Sequence, residues 1–227
     1  EPYRRQRQMC IRDSMKDNVF FVSGIDTNVG KSYATGYLAK TWNEQGVRTI
    51  TQKFIQTGNV GMSEDIELHR KIMGTGLLPE DESGLTMPEI FTYPCSPHLA
   101  AEIDHRPIDF DKIEKATRQL SETYDAVLLE GAGGLMVPLT RDLLTIDYVA
   151  QKNYPLIFVT SGKLGSINHT LLSLEAITRR GIRLHTVAYN LFPEEDDDII
   201  RRDTEAYIRD LLAKEYPETH FVIVPKL

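Results

Sequence analysis

The stretch GIDTNVGKS, residues 24–32, decides how the rest of this chain is interpreted. It follows an apolar run, VFFV at 19–22, and precedes Tyr33–Gln45, whose apolar residues have helical spacing. In such a strand–loop–helix unit, the loop N–H groups and the positive end of the helix face a polyphosphate, Lys31 reaches its terminal phosphates and the Ser32 hydroxyl ligates Mg²⁺. Five residues separate the two glycines where the generic motif has four. The sequence favours nucleotide binding over the alternative, a turn before an ordinary helix.

The composition limits the classes of protein to be considered. The chain has 227 residues, a formal net charge of −7 and 41% hydrophobic residues, which suits one α/β domain with a sizeable core. A net acidic chain without a basic stripe argues against nucleic acid as the main partner, and no apolar run approaches the roughly 18 residues of a membrane span. Cys10 and Cys95 lack the spacing of a disulfide framework or zinc site, so we expect a reducing cytoplasm.

The first 14 residues differ in character from the rest. They contain the basic group RRQR at 4–7 and no apolar core, unlike a secretory signal. We expect residues 1–14 to be a non-native, disordered leader and Met15 to be the natural start, with a basic interaction arm as the alternative. Residues 15–227 are then a single ATP-binding domain.

Strand-like and helix-like segments alternate along the chain. The expected strands are Val19–Ser23, Val47–Gln52, Ala126–Glu130, Leu156–Thr160, Thr186–Asn190 and Phe221–Val224; the expected helices are Tyr33–Gln45, Phe110–Tyr124, Ile167–Arg179 and Asp196–Lys214. This alternation predicts an α/β fold with a doubly wound, mostly parallel sheet and helices on both faces. Ligands then bind outside the carboxyl ends of the strands. Residues 58–107 are expected to form functional loops and short helices within the domain.

Candidate catalytic and metal-binding residues follow the ends of expected strands. Lys53 ends the second strand, where it either stabilises charge on a γ-phosphate or is a solvated lysine. Glu130 closes a buried strand before GAGG at 131–134, which suits a carboxylate directed at Mg²⁺, with a capping acid as the alternative. Taken alone, Asp65 is more typical of a solvated acidic residue at the start of a helix. Mg²⁺ is usually bound by only one or two carboxylates of a protein, so Ser32, Asp65 and Glu130 are enough to form a Mg²⁺ site.

Other polar residues are weaker candidates. Thr57, before Gly58, either donates to a substrate or is a turn residue. The junction TSGKLGSINH, residues 160–169, offers free helical N–H groups to a carboxylate unless Ser166 simply caps that helix. The amide of Asn190 either pairs with a purine edge or belongs to a turn. His98, His105, His169 and His185 lack ligand spacing, and no catalytic role is expected for a histidine.

Together, in chain order, these segments resemble the dethiobiotin synthetase family, ATP-dependent cyclo-ligases of biotin biosynthesis. The matching segments are Gly24–Ser32, Lys53–Gly58, Ser96–His98, Glu130–Gly134, Lys163–His169 and Asn190, and the resemblance covers residues 18–227. The five-residue spacing of the phosphate loop is the form that this family has. The fold implied is that of the P-loop nucleotide-binding enzymes.

The resemblance implies a reaction and its partners. CO₂ or bicarbonate supplies a carbon that joins 7,8-diaminononanoate as a carbamate, ATP phosphorylates the carbamate, and the second amine closes the ureido ring with loss of phosphate. Mg²⁺ is the implied metal. The implied enzyme is a homodimer whose substrate site is shared across the interface.

The resemblance also implies a role for individual residues. Lys31 and Lys53 are catalytic; Ser32, Asp65 and Glu130 hold the metal; Thr27 and Thr57 contact the substrate; and Gly165, Ser166 and Asn168 come from the second subunit to receive its carboxylate. The nucleotide contacts Asn28, Val29, Gly30, Lys31, Ser32, Tyr33, Asp65, Glu130, Gly131, Ala132, Gly133, Asn190, Pro225, Lys226 and Leu227.

Three positions depart from the family pattern. Ser32 replaces the usual threonine but keeps the hydroxyl. Phe54 replaces a proline, so Lys53 is expected to be held less firmly. The sequence ends at Leu227 where the family continues, and weaker nucleotide affinity or selectivity is expected.

Two other functions compete with this interpretation. A cobyrinate-type amide synthetase requires a glutamine-hydrolysing domain, which does not fit in this length. An ATP-dependent switch of the partitioning or septum-placement type usually carries a lysine early in its phosphate loop, and GIDT at 24–27 has none.

Overall fold

The computed structural model describes residues 18–192 and 197–226. The expected leader at 1–14 and the expected nucleotide contact Leu227 lie outside the described residues. The strands are β1 Val19–Gly24, β2 Thr49–Lys53, β3 Gln56–Thr57, β4 Ile90–Phe91, β5 Ala126–Gly134, β6 Leu156–Ser161, β7 Leu184–Asn190 and β8 His220–Val224. The helices are α1 Lys31–Glu44, α2 Glu64–Met73, α3 Pro79–Glu82, α4 Pro97–Ile103, α5 Phe110–Thr123, α6 Thr145–Lys152, α7 Ser166–Arg179 and α8 Asp198–Glu215.

Six strands form one parallel sheet in the order β2-β5-β1-β6-β7-β8. The chain leaves β1 toward β2 on one side and later adds β6, β7 and β8 on the other. The order therefore reverses at β1, and a crevice for ligands is expected at the carboxyl end of that strand. The short strands β3 and β4 pair separately, in parallel. The predicted α/β fold is confirmed.

The sheet is covered on both faces because its central strands carry apolar residues in continuous runs, so that both faces must be buried. Phe21 and Leu129 point into a larger cluster, to which α5, α6, α7 and α8 contribute. Phe20 and Leu128, one residue earlier in each strand, point into a smaller cluster with α1. Within the described residues, no helix is long and apolar enough to span a membrane.

The structure adds detail to the 58–107 segment, which contains α2, α3, α4 and β4. Helix α2 begins with a cap, because the Ser63 side chain accepts a hydrogen bond from Ile66 N at 3.2 Å. Asp65 lies in the first turn of this helix, and contacts with α1 and β2 hold the helix beside the sheet. The expected short helices are confirmed.

Candidate active site

The phosphate loop joins the end of β1 to the start of α1. Gly30 precedes the helix with φ of 79°, a left-handed conformation that glycine adopts without steric cost. A Cβ atom on Gly30 would also lie 2.2 Å from Nδ2 of Asn190. Glycine is therefore required here both by the backbone and by the space. The N–H groups at the start of α1 remain available to an anion.

Lys31 folds back over this loop. Its Nζ donates to the carbonyl oxygens of Asp26 at 2.9 Å and Thr27 at 3.1 Å, and the side chain is buried. Burial lowers the pKa of Lys31 to about 8, against the opposing effect of Glu130 and with a smaller contribution from Lys53. The loop thus holds an amine that loses its proton more readily than an exposed lysine does.

A cluster of three oxygen-bearing side chains lies beside the loop. Oγ of Ser32 is 2.6 Å from Oδ1 of Asp65 and 2.8 Å from Oε1 of Glu130. A hydroxyl has one proton, so it cannot donate fully to both carboxylates. Oxygen ligands at right angles on Mg²⁺, each about 2.0–2.1 Å from the metal, lie about 2.9 Å apart. The spacing and chemistry of these three groups therefore fit Mg²⁺.

The protein offers only a few ligands for a metal here. The described part of the chain has no group of three or more His, Cys, Asp or Glu residues arranged to hold an ion. Two carboxylates and a hydroxyl agree with a cation that keeps several of its waters and binds largely through phosphates, as Mg²⁺ does. Zinc sites are usually built from histidine and cysteine ligands, which these three side chains are not.

Lys53 forms ion pairs with both carboxylates, those of Asp65 and Glu130. Its Nζ lies 2.5 Å from Oδ2 of Asp65, 2.9 Å from Oε1 of Glu130 and 3.2 Å from the carbonyl oxygen of Gly131. Lys53, the last residue of β2, pairs with Glu130, in the middle of the adjacent strand β5, which explains why they meet. Burial alone would lower the pKa of Lys53, but Glu130 and Asp65 outweigh it and raise this pKa. Lys53 therefore stays charged.

Glu130 is fully buried and remains ionised. Burial by itself would raise its pKa, but the charge of Lys53 and the hydrogen bonds from His69 and Lys53 hold the pKa of this carboxyl well below its ordinary value. Nε2 of His69 lies 2.8 Å from Oε2 of Glu130. Sequence analysis did not identify His69. The available signal was its spacing of four residues from Asp65, which places both on one face of a helix.

Phe54 is accommodated in the core without loosening its neighbour. Its ring is fully buried, with ring centroids 5.5 Å from Phe21 and 4.8 Å from Tyr148. Its N–H donates to the carbonyl oxygen of Glu130 at 2.8 Å, a hydrogen bond that proline could not make. The three polar contacts of Lys53 contrast with the expectation that this lysine would be less firmly held.

Asn190 connects the end of β7 to the phosphate loop. Its Nδ2 donates to the carbonyl oxygens of Val29 at 2.9 Å and Gly30 at 3.3 Å, and its Oδ1 accepts from Phe192 N at 3.1 Å. The ring of Phe192 lies 4.9 Å from that of Tyr33, centroid to centroid. In this structure the Asn190 amide fixes the loop, so a contact with a purine edge stays a prediction.

The remaining expected contacts surround the loop or lie on other strands. Thr27 and Asn28 are exposed on the loop, Thr57 ends β3, and Gly131, Ala132 and Gly133 belong to β5. Pro225 and Lys226 follow β8. Gly165, Ser166 and Asn168 lie at the start of α7, which follows β6 on the other side of β1 from β5. Ser166 is buried with its Oγ 3.0 Å from that of Ser161, whereas Asn168 is exposed.

Comparisons with known proteins find relatives that match most of the chain. A family model described as an AAA domain matches residues 18–227. The chain is 52% identical over 206 residues to the ATP-dependent dethiobiotin synthetase BioD 2 of Pasteurella multocida, covering 91% of this chain and 96% of the relative. It is 57% identical over 184 residues to the BioD 2 protein of Haemophilus influenzae, covering 81% of this chain and 96% of that protein.

Solved structures support the fold alone. The signal recognition particle receptor FtsY of Elizabethkingia anophelis, in complex with GDP, aligns with a TM-score of 0.51 at 14% identity. The alignment covers 93% of this chain, which spans 58% of the length of that receptor chain.

Proposed function

The chain belongs to the ATP-dependent dethiobiotin synthetase family, and we propose that it uses ATP to form dethiobiotin from 7,8-diaminononanoate and CO₂ through the cluster of Lys31, Ser32, Lys53, Asp65 and Glu130. As a member of this family it is a ligase of biotin biosynthesis that binds ATP. The order of chemical steps, the metal, the source of carbon and the assembly state belong to the proposal.

The proposed reaction has three bond-forming steps. One substrate amine adds to CO₂ and loses a proton, which gives a carbamate. A carbamate oxygen then attacks the γ-phosphorus of ATP, ADP leaves, and a carbamic-phosphoric anhydride results. The second amine attacks the carbonyl carbon, phosphate leaves, and the ureido ring is closed. No covalent enzyme intermediate is required, so positioning and charge stabilisation supply the catalysis.

The two lysines would perform complementary tasks. Lys31, whose amine is held by loop carbonyl oxygens in this structure, would contact the terminal phosphates. Lys53 carries a permanent charge at the end of β2, where it can stabilise the carbamate and the transferring phosphoryl group. Both amines are buried, and low local polarity strengthens their attraction for phosphate oxygens.

Ser32, Asp65 and Glu130 would hold Mg²⁺. When bound, Mg²⁺ neutralises charge on the β- and γ-phosphates and helps to orient them. Within the protein, Nζ of Lys53 contacts both carboxylates and Oγ of Ser32 lies between them. Glu130 is thus already ionised before nucleotide binds. The single observation that carries the proposal is this meeting of two carboxylates, a hydroxyl and a lysine at the phosphate loop.

Substrate contacts and assembly complete the proposal. Thr27 and Thr57 would contact the diamine, and Asn190, Pro225, Lys226 and Leu227 would border the adenine. Gly165, Ser166 and Asn168 would receive the substrate carboxylate across the interface of a homodimer. The exposed position of Asn168 and of Leu164, which is 74% exposed, supports a role for this junction in contacts outside its own subunit. A cytoplasmic location stays a prediction.

Phosphate release from Mg-ATP tests the function directly. We expect release only when 7,8-diaminononanoate and bicarbonate are both present, with dethiobiotin as the organic product. Lys31→Ala should abolish this release without unfolding the protein, whereas Lys71→Ala, at an exposed position on α2, should leave it unchanged. Slow release indifferent to both substrates would contradict the ligase and favour the switch. Near-normal turnover by Lys31→Ala would contradict the phosphate-loop assignment.

A further inference from the structure

A series of hydrogen bonds extends from Glu130 into the protein interior, on the side of its carboxylate that does not contact Ser32. Nε2 of His69 lies 2.8 Å from Oε2 of Glu130, and Nδ1 of His69 lies 3.0 Å from Oγ1 of Thr51. Oγ1 of Thr51 in turn accepts from Nη1 of Arg70 at 2.8 Å. The side chains of Glu130, His69, Thr51 and Arg70 are all buried. Their polar groups therefore form hydrogen bonds with one another rather than with water.

Arg70 determines which groups donate and which accept in this series of hydrogen bonds. Its guanidinium always carries its protons and can only donate. It is fixed by Asp81, with Nε to Oδ2 and Nη2 to Oδ1 both at 2.8 Å, and Asp81 also accepts from Oγ1 of Thr86 at 2.6 Å. Thr51 must therefore use a lone pair toward Arg70, which leaves its one proton for another partner.

The protonation of His69 follows from the same assignment of hydrogen-bond donors and acceptors. The ionised carboxylate of Glu130 only accepts, so Nε2 of His69 must carry a proton. If Nδ1 carried one as well, the Thr51 proton would lack an acceptor among these partners in a buried site, which is unfavourable. The arrangement that satisfies every group has a neutral imidazole with its proton on Nε2 and with Nδ1 accepting from Thr51.

This arrangement sets the orientation of Glu130. The last torsion of a glutamate has a broad, roughly two-fold preference, so the carboxylate is not fixed by its own rotamer. His69 occupies Oε2, and Ser32 and Lys53 both contact Oε1. One oxygen is thereby assigned to the protein interior and the other to the phosphate loop.

We infer that His69 is a positioning residue, whose tautomer is set by Arg70 through Thr51 and which holds Glu130 so that Oε1 alone faces the site of metal and nucleotide. The inference rests on the proposed function for its catalytic meaning, but the tautomer itself does not. Asp65 and His69 lie one turn apart on α2, and Arg70 anchors that helix to Asp81. The same helix thus supplies one proposed metal ligand and orients the other.

Nuclear magnetic resonance tests the tautomer without turnover. With ¹⁵N-labelled histidine at pH 7.5, we expect the His69 ring to be neutral, protonated at Nε2, with Nδ1 accepting a hydrogen bond. Thr51→Val keeps the shape of the side chain but removes its proton, and should shift the Nδ1 resonance of His69 alone. A doubly protonated ring, protonation at Nδ1, or an unchanged Nδ1 resonance in Thr51→Val would overturn the inference.

The Mg²⁺ dependence of nucleotide binding tests the positioning role. Loss of a hydrogen-bond partner behind a metal ligand typically costs about 10–100-fold in metal affinity. We expect His69→Leu to raise the Mg²⁺ concentration for half-maximal binding of a non-hydrolysable ATP analogue about tenfold. His69→Gln, which retains an N–H donor, should recover most of this loss. His220→Gln, at an exposed histidine, is the matched control and should behave as wild type.

Turnover separates positioning from general damage. In phosphate release, His69→Leu should raise the Mg²⁺ requirement while KM for the diamine stays unchanged. Circular dichroism without Mg²⁺ establishes that each variant is folded, and Thr51→Val replaces His69→Leu if the latter is not. A folded variant with wild-type Mg²⁺ dependence, or equal loss in His69→Gln and His69→Leu, would overturn the role. Absence of wild-type turnover would instead contradict the proposed function and leave the binding test intact.

Discussion

The pH dependence of nucleotide affinity tests the electrostatics of Lys31. Burial lowers the pKa of its amine from 10.5 to about 8, and phosphate oxygens bind its charged form most strongly. With that pKa, about nine tenths of the amine is charged at pH 7 and about one tenth at pH 9. If only the charged form binds, Kd for Mg-ADP should rise about tenfold from pH 7 to pH 9, equivalent to about 1.4 kcal/mol.

Lys31→Arg is the matched variant, because a guanidinium stays charged at both pH values. We expect this variant to bind more weakly overall, since its planar group fits the loop less well, but with no tenfold change in Kd between pH 7 and pH 9. Titration calorimetry in two buffers of different ionisation enthalpy should show that wild-type protein takes up about one proton per nucleotide at pH 9. An unchanged wild-type Kd, or a parallel loss in Lys31→Arg, would refute the reasoning.

The same pKa shift of Lys31 should make the free energy of unfolding of the nucleotide-free protein depend on pH. The unfolded chain keeps the Lys31 pKa near 10.5, so between pH 8 and 10.5 it binds more protons than the folded chain does. The contribution of Lys31 to the free energy of unfolding should therefore rise with pH in this window, by about 3 kcal/mol at most. Urea unfolding of wild type and Lys31→Arg measures the difference.

Three further predictions concern other titratable residues. Glu130→Gln should raise the Mg²⁺ requirement of phosphate release, and an unchanged requirement would remove Glu130 from the metal site. Asp81→Asn should lower the free energy of unfolding by about 3–5 kcal/mol, because it leaves the buried charge of Arg70 unpaired; a loss below 1 kcal/mol in urea unfolding would contradict this. Burial, with smaller effects of His220 and Arg183, lowers the pKa of His185 to about 4 against 6.5 in the unfolded chain, so acid should destabilise wild type by about 2 kcal/mol between pH 7 and pH 4.5. His185→Phe should lack this part of the acid sensitivity, and equal sensitivity of both proteins would contradict the shift.

Much of the fold could be predicted because strands that are buried on both faces of a sheet consist of continuous apolar runs, which are easily recognised in the sequence. The strands β1 and β5 begin with continuous apolar runs, and Lys53 and Glu130 could be placed at one edge of the sheet since parallel strands share a carboxyl end. The end of β5 was less clear. The glycines that follow Glu130 are typical of a turn, yet the strand continues to Gly134, which pairs with Gly24.

The contacts behind the site could not be predicted in the same way. The buried face of α2 consists of Ile66, His69 and Arg70, so two polar residues obscure the apolar period by which a helix is recognised. His69 meets Glu130 across 61 positions of sequence, and that meeting depends on β2 lying beside β5. Likewise, the contact of Asn190 with the phosphate loop depends on the order of strands, which local sequence does not contain.

The hydrogen bond from Asn190 to Val29 also has a consequence for biosynthesis. The two residues are separated by 161 positions, and the partners Ser32 and Glu130 by 98. At a translation rate of about 5–20 residues per second, about 8–32 s pass between the synthesis of the phosphate loop and that of the residue that fixes it. Contacts so distant in sequence form late, after their closure entropy has been overcome. The nascent chain therefore carries its nucleotide motif well before it acquires a finished nucleotide site, which must wait for the synthesis of Asn190.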